Sequence, residues 1–237
     1  SKVEIQRAIN GIKIAIEQIG LQEGHEIAMG HTASSANRIA YTMKEPIGVV
    51  AAISAFNHPF NLAVHQVIPA IAVGCPVIIR PATQTPMSAI KLVEILKEAG
   101  LPNGWAQAVV CDRNAGELLV TSPKTAFFTF IGSGPVGWYL NSKSSPGTRS
   151  ALEHGGVAPV IVEPDADIEA MIPDLVKGGF YHAGQVCVSV QRIFVHESIA
   201  NTVASKIAQK ASKLIVGNQL DPKTEVGPLI NHNEVNR

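Results

Sequence analysis

The sequence predicts an α/β protein: a parallel sheet flanked by helices, followed by the start of a second α/β unit near Pro159. Short apolar runs alternate with helical stretches of roughly ten to fifteen residues, the pattern of βαβ units and a parallel sheet. The runs are near-continuous in Val, Ala and Ile, as strands buried on both faces are. Composition agrees: hydrophobic residues make up 46% of the 237 but aromatics only 5%, so small aliphatic side chains must fill a large core.

Residues 3–19 place Ile5, Ala8, Ile9, Ile12 and Ile16 at helical spacing, predicting a helix with one buried face. Residues 22–45 are polar and small, and predict extended strands or a hairpin packed outside the main body. A buried strand is expected over 46–56, closed by a polar turn at Asn57, His58 and Pro59. There follow a helix over 62–72, a buried strand over 75–80, a turn and helix over 81–102 ending near Gly100, and a third strand over 105–111. Helices over 116–123 and 133–144 bracket a strand over 125–132, and residues 148–156 lead to another strand over 158–164. Beyond it, residues 167–187 bring a helix, then come a strand over 189–196, a long amphipathic helix over 199–217 and a loop over 218–230. The last seven residues carry no closing element, so an incomplete chain is expected.

Lys plus Arg and Asp plus Glu both number 19, with no block of like charge, which sets aside nucleic acid and anionic membranes in favour of a small-molecule or protein partner. Cys75, Cys111 and Cys187 lack metal-ligand spacing, and His25 and His31, the nearest pair among eight scattered histidines, find no third partner, so no metal site is expected. The N-terminal stretch has charges throughout and lacks the apolar core of a signal peptide or membrane span, and a reducing cytoplasm is the default compartment.

Four segments carry chemistry. In the Gly-rich turn Phe130-Ile131-Gly132-Ser133-Gly134-Pro135-Val136-Gly137, between strand and helix, the backbone can approach a dinucleotide pyrophosphate at a helix N-terminus. A tight turn and nothing more is the alternative, because this is the fourth strand and no acidic ribose ligand follows. In Gly184-Gln185-Val186-Cys187 the cysteine is either a nucleophilic thiolate activated by backbone dipoles or a small buried hydrophobe. Glu153 is either a general base or a solvated loop charge. Asn57 either donates its amide to an oxyanion or serves only its turn. A dyad of His182 with Cys187 is disfavoured by the intervening turn residues and the lack of an orienting third group, and Cys75 and Cys111 read as structural.

Taken together and in order, Phe56-Asn57-His58-Pro59, Arg80-Pro81-Ala82-Thr83-Gln84-Thr85-Pro86, the Gly-rich turn, Glu153-His154-Gly155-Gly156, Gly184-Gln185-Val186-Cys187 and Gly227-Pro228-Leu229-Ile230 resemble segments of the aldehyde dehydrogenase superfamily. The resemblance covers nearly the whole chain and includes the 34 positions from Glu153 to Cys187. It implies a Rossmann-like cofactor domain at 1–23 and 47–158, an oligomerisation hairpin segment at 24–46, and part of a second α/β, catalytic domain at 159–237. It implies oxidation of an aldehyde to a carboxylic acid with hydride transfer to NAD or NADP. Cys187 would form a thiohemiacetal, Asn57 and the Cys187 N–H would hold its oxyanion, and water activated by Glu153 would hydrolyse the thioester. Cofactor contacts are implied for Ser54, Phe56, Arg80, Thr83, Gly116, Phe130, Gly132, Ser133, Val136, His154 and Gly155. A homo-oligomer, dimer or tetramer, is implied for the full-length protein.

This sequence departs from the family pattern in three respects. Arg80 replaces the usual Lys, and Thr83 stands where NAD-preferring members often carry a Glu, so a 2′-phosphate is not repelled and NADP use is open. His154 replaces the usual Leu. The Glu-x-Phe-Gly-Pro segment, whose Glu binds the nicotinamide ribose in the family, is not found, so the chain reads as an internal fragment. Two competing readings stay open: an enzyme that passes the acyl group to coenzyme A, against which Glu153 argues, and a truncated non-catalytic module that binds a dinucleotide or a partner. For substrate, Val186 and Phe60 suggest an apolar wall and His58 an anionic aldehyde. The wording around Asn57, Glu153 and Cys187 is similar to a branch that includes phosphonoacetaldehyde and other short functionalised aldehyde dehydrogenases.

Overall fold

The computed structural model describes residues 2–236 and divides into two compact units, Ser1–Glu153 and His154–Arg237. The first is built on a five-stranded sheet of β3 (Val49–Ile53), β4 (Val77–Arg80), β5 (Ala106–Ala108), β6 (Thr125–Gly132) and β7 (Arg149–His154). Its order is β5-β4-β3-β6-β7. β3 runs parallel to both β4 and β6, with Ile53 opposite Arg80 on one side and Phe130 on the other. The expected parallel α/β architecture is therefore present.

Helices α2 (Pro59–Ala72), α3 (Met87–Glu98), α4 (Arg113–Thr121) and α5 (Gly134–Lys143) connect these strands. Val50, Ala52, Val77 and Ile79 pack with Val64, Val67, Leu92 and Val93 in one buried cluster, while Ile53, Phe128 and Phe130 join Val120 and Leu140 in another. A strand with apolar residues on both faces can only be read as a continuous run, which is why the central strands are legible in the sequence.

Several expectations need correction. The turn predicted at Asn57-His58-Pro59 ends at His58, and Pro59 is already the first residue of α2. Proline's fixed φ and missing N–H suit that position. Helix α1 (Lys2–Ile19) forms as expected, but its face is rotated: Ala8 is buried and Ile12 and Ala15 are partly buried, whereas Ile5, Ile9 and Ile16 stay exposed. The predicted third strand contracts to Ala106–Ala108. Residues 22–45 contain only the two-residue antiparallel strands β1 (Glu26–Ile27) and β2 (Ala40–Tyr41).

In the second unit, β8 (Val160–Val162) pairs in parallel with β9 (Ile193–Val195), shorter than the strand expected over 189–196. Ile172 and Val176 of α6 (Ile168–Phe180) pack on Val203 of α7 (Ala200–Ala211). The helix expected to reach residue 217 stops at Ala211. Ile215, Val216 and Gly217 instead turn toward another segment: the Glu225 and Val226 N–H groups donate to Ile215 O, and Gly217 N–H donates to Val226 O at 3.1 Å. β-Branched residues lose less by leaving a helix than straight-chain ones. The C-terminal residues are not without structure, since Asn231 caps a single helical turn, His232–Val235, by accepting the Asn233 and Glu234 N–H groups. No helix among the described residues is long and apolar enough to cross a membrane.

Candidate active site

In the first unit the sheet order reverses between β3 and β6, a topological switch point, and ligands of open α/β sheets sit outside the carboxyl ends of strands there. Ser54 through Asn57 leave the end of β3, Arg80 ends β4, and Phe130 through Gly132 end β6, with Ser133 next in the chain. Gln66, 5% exposed on α2, braces this end of the sheet: its Nε2 donates to Ile53 O at 3.2 Å and to Thr129 O and Oγ1 at 3.3 Å. Sequence reasoning missed Gln66. The available signal was a polar side chain among the apolar residues of α2, since buried polar groups require partners.

The turn after β3 is tied to the turn after β4. Ser54 N–H donates to Arg80 O at 3.0 Å, and Thr85 Oγ1 donates to Phe56 O at 3.4 Å. Asn57 Oδ1 accepts the His58 N–H at 3.1 Å, so the carboxamide oxygen is engaged with its own loop. The Ser54 hydroxyl oxygen is buried with no hydrogen-bond partner.

Arg80 lies along the start of α4. Its Nη2 donates to Cys111 O at 3.1 Å, and its Nε is buried without a partner. A Cβ at residue 116 would come within 2.8 Å of Arg80 Cδ, so glycine at this buried position is what lets the side chain lie there. Thr83 is exposed and its hydroxyl donates to Gln84 Oε1. At the end of β6, Phe130 is buried, and a Cβ at Gly132 would stand 2.6 Å from its ring. Ser133 is the N-cap of α5, yet its hydroxyl makes no capping bond, and Val136 is exposed in the first turn. The arrangement therefore has a glycine-flattened strand end and an uncapped helix terminus, the two features a phosphate exploits. Glu153 is exposed on β7, so the alternative of a loop charge is corrected to a strand residue at the sheet edge.

In the second unit Cys187 is exposed, which corrects the alternative of a buried hydrophobe. By contrast Cys75 is buried, as a structural residue would be. The loop that carries Cys187 leaves α6 through three consecutive left-handed residues, His182 (φ 56°), Ala183 (φ 57°) and Gly184 (φ 73°). Only the last is a glycine, and non-glycine residues hold this conformation only where their surroundings enforce it. The enforcement is visible in hydrogen bonds. Gln185 Nε2 donates to His182 O at 3.1 Å and Pro228 O at 3.4 Å, while its Oε1 accepts the Ile230 N–H at 2.9 Å. Ser189 Oγ, 4% exposed, donates to the Gly178 and Gly179 carbonyls at the end of α6.

The segment after Glu153 runs beside this loop. Gly156 N–H donates to Cys187 O at 3.3 Å, Gln191 Nε2 donates to Gly156 O at 3.1 Å, and a Cβ at Gly155 would lie 3.9 Å from Cys187 Cα. His154 is half-buried at the start of that segment. The ring of His182 stacks near Tyr181, with centroids 6.0 Å apart. Among the described residues no cluster of His, Cys, Asp or Glu could hold a metal ion.

The Aldehyde dehydrogenase family model matches residues 1–237 of this chain. A 3-sulfolactaldehyde dehydrogenase of Priestia megaterium is 41% identical over 239 residues, covering 100% of this chain and 50% of that protein. A lactaldehyde dehydrogenase of Methanococcus vannielii is 38% identical over 97% of this chain and 49% of its own length. Among solved structures, glyceraldehyde-3-phosphate dehydrogenase GapN of Methanocaldococcus jannaschii, complexed with NADP, has 38% identity and a TM-score of 0.89 over 97% of this chain and 50% of that one. Succinate-semialdehyde dehydrogenase of Burkholderia pseudomallei has 36% identity and a TM-score of 0.93, over 99% and 48% respectively. The chain thus spans about half the length of the relatives it matches.

Proposed function

The chain belongs to the aldehyde dehydrogenase family, and from that premise we propose that the protein oxidises an aldehyde to a carboxylic acid with NAD or NADP as hydride acceptor. The observation that carries this reading is Cys187, an exposed thiol on a loop held in a strained left-handed path and pinned through Gln185. The thiolate attacks the carbonyl carbon, forming a carbon–sulfur bond, and the oxyanion is stabilised by the Asn57 carboxamide NH2 and the Cys187 N–H. A nicotinamide dinucleotide, when bound, would supply the acceptor for the hydride that this carbon must lose. Glu153 takes a proton from water as it adds to the resulting thioester, and the carboxylic acid leaves with the thiolate restored.

The residues present suit a dinucleotide. The uncapped start of α5 with Ser133, above a Gly132 that has no room for a Cβ, is assigned to the pyrophosphate, with Val136 beside it. Arg80, laid over Gly116, and Thr83 are assigned to the adenosine ribose, and the missing carboxylate at 83 admits a 2′-phosphate. Ser54, Phe56, Phe130, His154 and Gly155 are assigned to the nicotinamide side. On this reading residues 1–23 and 47–158 form the cofactor domain and 159–237 part of the catalytic domain. Residues 24–46, with exposed Ile39, Tyr41 and Met43, serve assembly into a homo-oligomer. Three free cysteines go with a reducing compartment such as the cytoplasm.

The substrate is a short aldehyde bearing an anionic group. His58 stands in the turn beside Asn57 and carries an imidazole able to hydrogen-bond an anion, and the similarity to an enzyme acting on a sulfonated aldehyde supports the reading. The test is nicotinamide reduction by the full-length protein across short acidic, hydroxylated and aliphatic aldehydes, with Cys187→Ala as control. Turnover should fall more than about a thousandfold in that variant. Undiminished reduction would end the proposal.

A further inference from the structure

The dipeptide Asn-Gly occurs at Asn10-Gly11 and again at Asn103-Gly104, and the fold holds the two in opposite ways. Asn10 lies in the middle of α1, with its Oδ1 accepting Gln6 Nε2 at 3.1 Å. Helix geometry commits the Gly11 N–H to the carbonyl four residues back and tilts the Asn10 side chain toward the helix N-terminus, away from that nitrogen. Asn103 and Gly104 instead form an exposed turn between α3 and the edge strand β5. The turn is closed by the Trp105 N–H, which donates to Pro102 O at 3.2 Å, a bond between its first and fourth residues that leaves the Gly104 N–H outside it. Gly104 has a φ of 87°, and a Cβ placed on it would meet nothing within 4 Å, so the chain here is open on its glycine side.

We propose that Asn103 is a site of spontaneous covalent modification, in which the Gly104 nitrogen closes on the Asn103 side chain and the resulting succinimide opens to aspartate or isoaspartate. The Gly104 nitrogen gives up its proton and bonds to Asn103 Cγ, the bond from Cγ to the amide nitrogen breaks, and ammonia leaves. Water then adds to one of the two ring carbonyls. Addition at Cγ restores the main chain and leaves aspartate, whereas addition at the Asn103 main-chain carbon leaves the chain running through the former side chain. Nothing is oxidised or reduced, and water is the only co-reactant. Glycine suits the step because it adds no side chain beside the attacking nitrogen and leaves the backbone free to bend toward Cγ. The isoaspartyl product lengthens the main chain by one methylene just before Trp105, whose carbonyl accepts the Val77 N–H at 2.8 Å where β4 begins. Gln107 Nε2, which donates to Gly104 O at 3.3 Å, ties β5 to the same turn. Either product adds a carboxylate to a chain whose 19 basic and 19 acidic residues otherwise cancel.

The test is incubation of the folded full-length protein at mildly alkaline pH, beside a urea-unfolded sample, followed by trypsin and tandem mass spectrometry. Trypsin places the two asparagines in separate peptides, residues 8–13 and 98–113. In the folded protein Asn103 is expected to gain the amide-to-acid mass difference at least about tenfold faster than Asn10, the factor that about 1.4 kcal/mol of helix opening imposes. Unfolding is expected to erase most of that difference, since α1 no longer protects Asn10. Asn103→Gln, whose longer side chain closes a larger ring far less readily, is expected to lose the mass change from its peptide. Equal rates at Asn10 and Asn103 in the folded protein overturn the proposal. So does an Asn103 that stays intact in the folded protein while the unfolded chain converts it, or a mass change that fragmentation places on Gln107.

Discussion

Glu153 and Cys187 divide the proposed chemistry, and the division is separable by experiment. Glu153→Gln removes the base that activates water while leaving the thiol and the hydride step in place. The expected outcome is a burst of one nicotinamide reduced per site, followed by steady turnover slowed about a hundredfold or more. A steady rate equal to wild type would remove Glu153 from the mechanism. At this scale the sequence was most informative, because short motifs name residue types whose chemistry is fixed. What it did not convey was environment: the same motif was compatible with a buried Cys187 and a looped Glu153, and both lie exposed, on a pinned loop and on an edge strand respectively. Gln66 showed in the sequence only as a polar residue in a helix, and its role did not, since two of its three acceptors lie on Thr129, 63 positions away.

Among the elements, local strain and helix contact make two predictions. Ala183 holds φ at 57° in the turn leading to Cys187, a conformation costing an L-residue about 1–2 kcal/mol that glycine adopts freely. Ala183→Gly is therefore expected to stabilise the fold by about 1 kcal/mol, measured by thermal or urea unfolding, and unchanged or lower stability would show that the turn is not strained. The second concerns α2, where His65 lies close to Gly11 of α1. Burial, and secondarily the positive charge of Arg7, hold the imidazole pKa below its usual 6.5. The folded chain then binds this proton less readily than the unfolded one, so stability is intact above about pH 6.5 and is lost as pH falls through the lowered value. His65→Gln should flatten the acid side of a Tm–pH profile relative to wild type, and superimposable profiles would refute it. Element type was legible wherever periodicity was strong. Face and boundary were less so: neighbours decide which side of α1 is buried, and Ile215 and Val216 leave the helical pattern to pair with residues ten or so positions on.

For the whole molecule, the break between units falls between Glu153 and His154, inside β7. No proline, polar linker or change in composition marks it, so a strand that ends one unit and opens the next reads in sequence as an ordinary strand. The second unit also has an order of assembly. Gln185 closes the thiol loop by binding Pro228 and Ile230, which lie 43 and 45 positions downstream. At translation speeds of about 5–20 residues per second, roughly 2–9 seconds separate the synthesis of Gln185 from that of its partners. During that interval the nascent nucleophile has left the peptidyl-transferase centre but cannot yet be locked. Gln185→Ala makes the interval permanent, and its Cys187 is expected to react several-fold faster with iodoacetamide than that of the wild type. The hydrogen bonds of one glutamine thus separate two stages in the life of the cysteine: an ordinary reactive thiol on a growing chain, and a nucleophile whose reach is limited to what the finished fold presents to it.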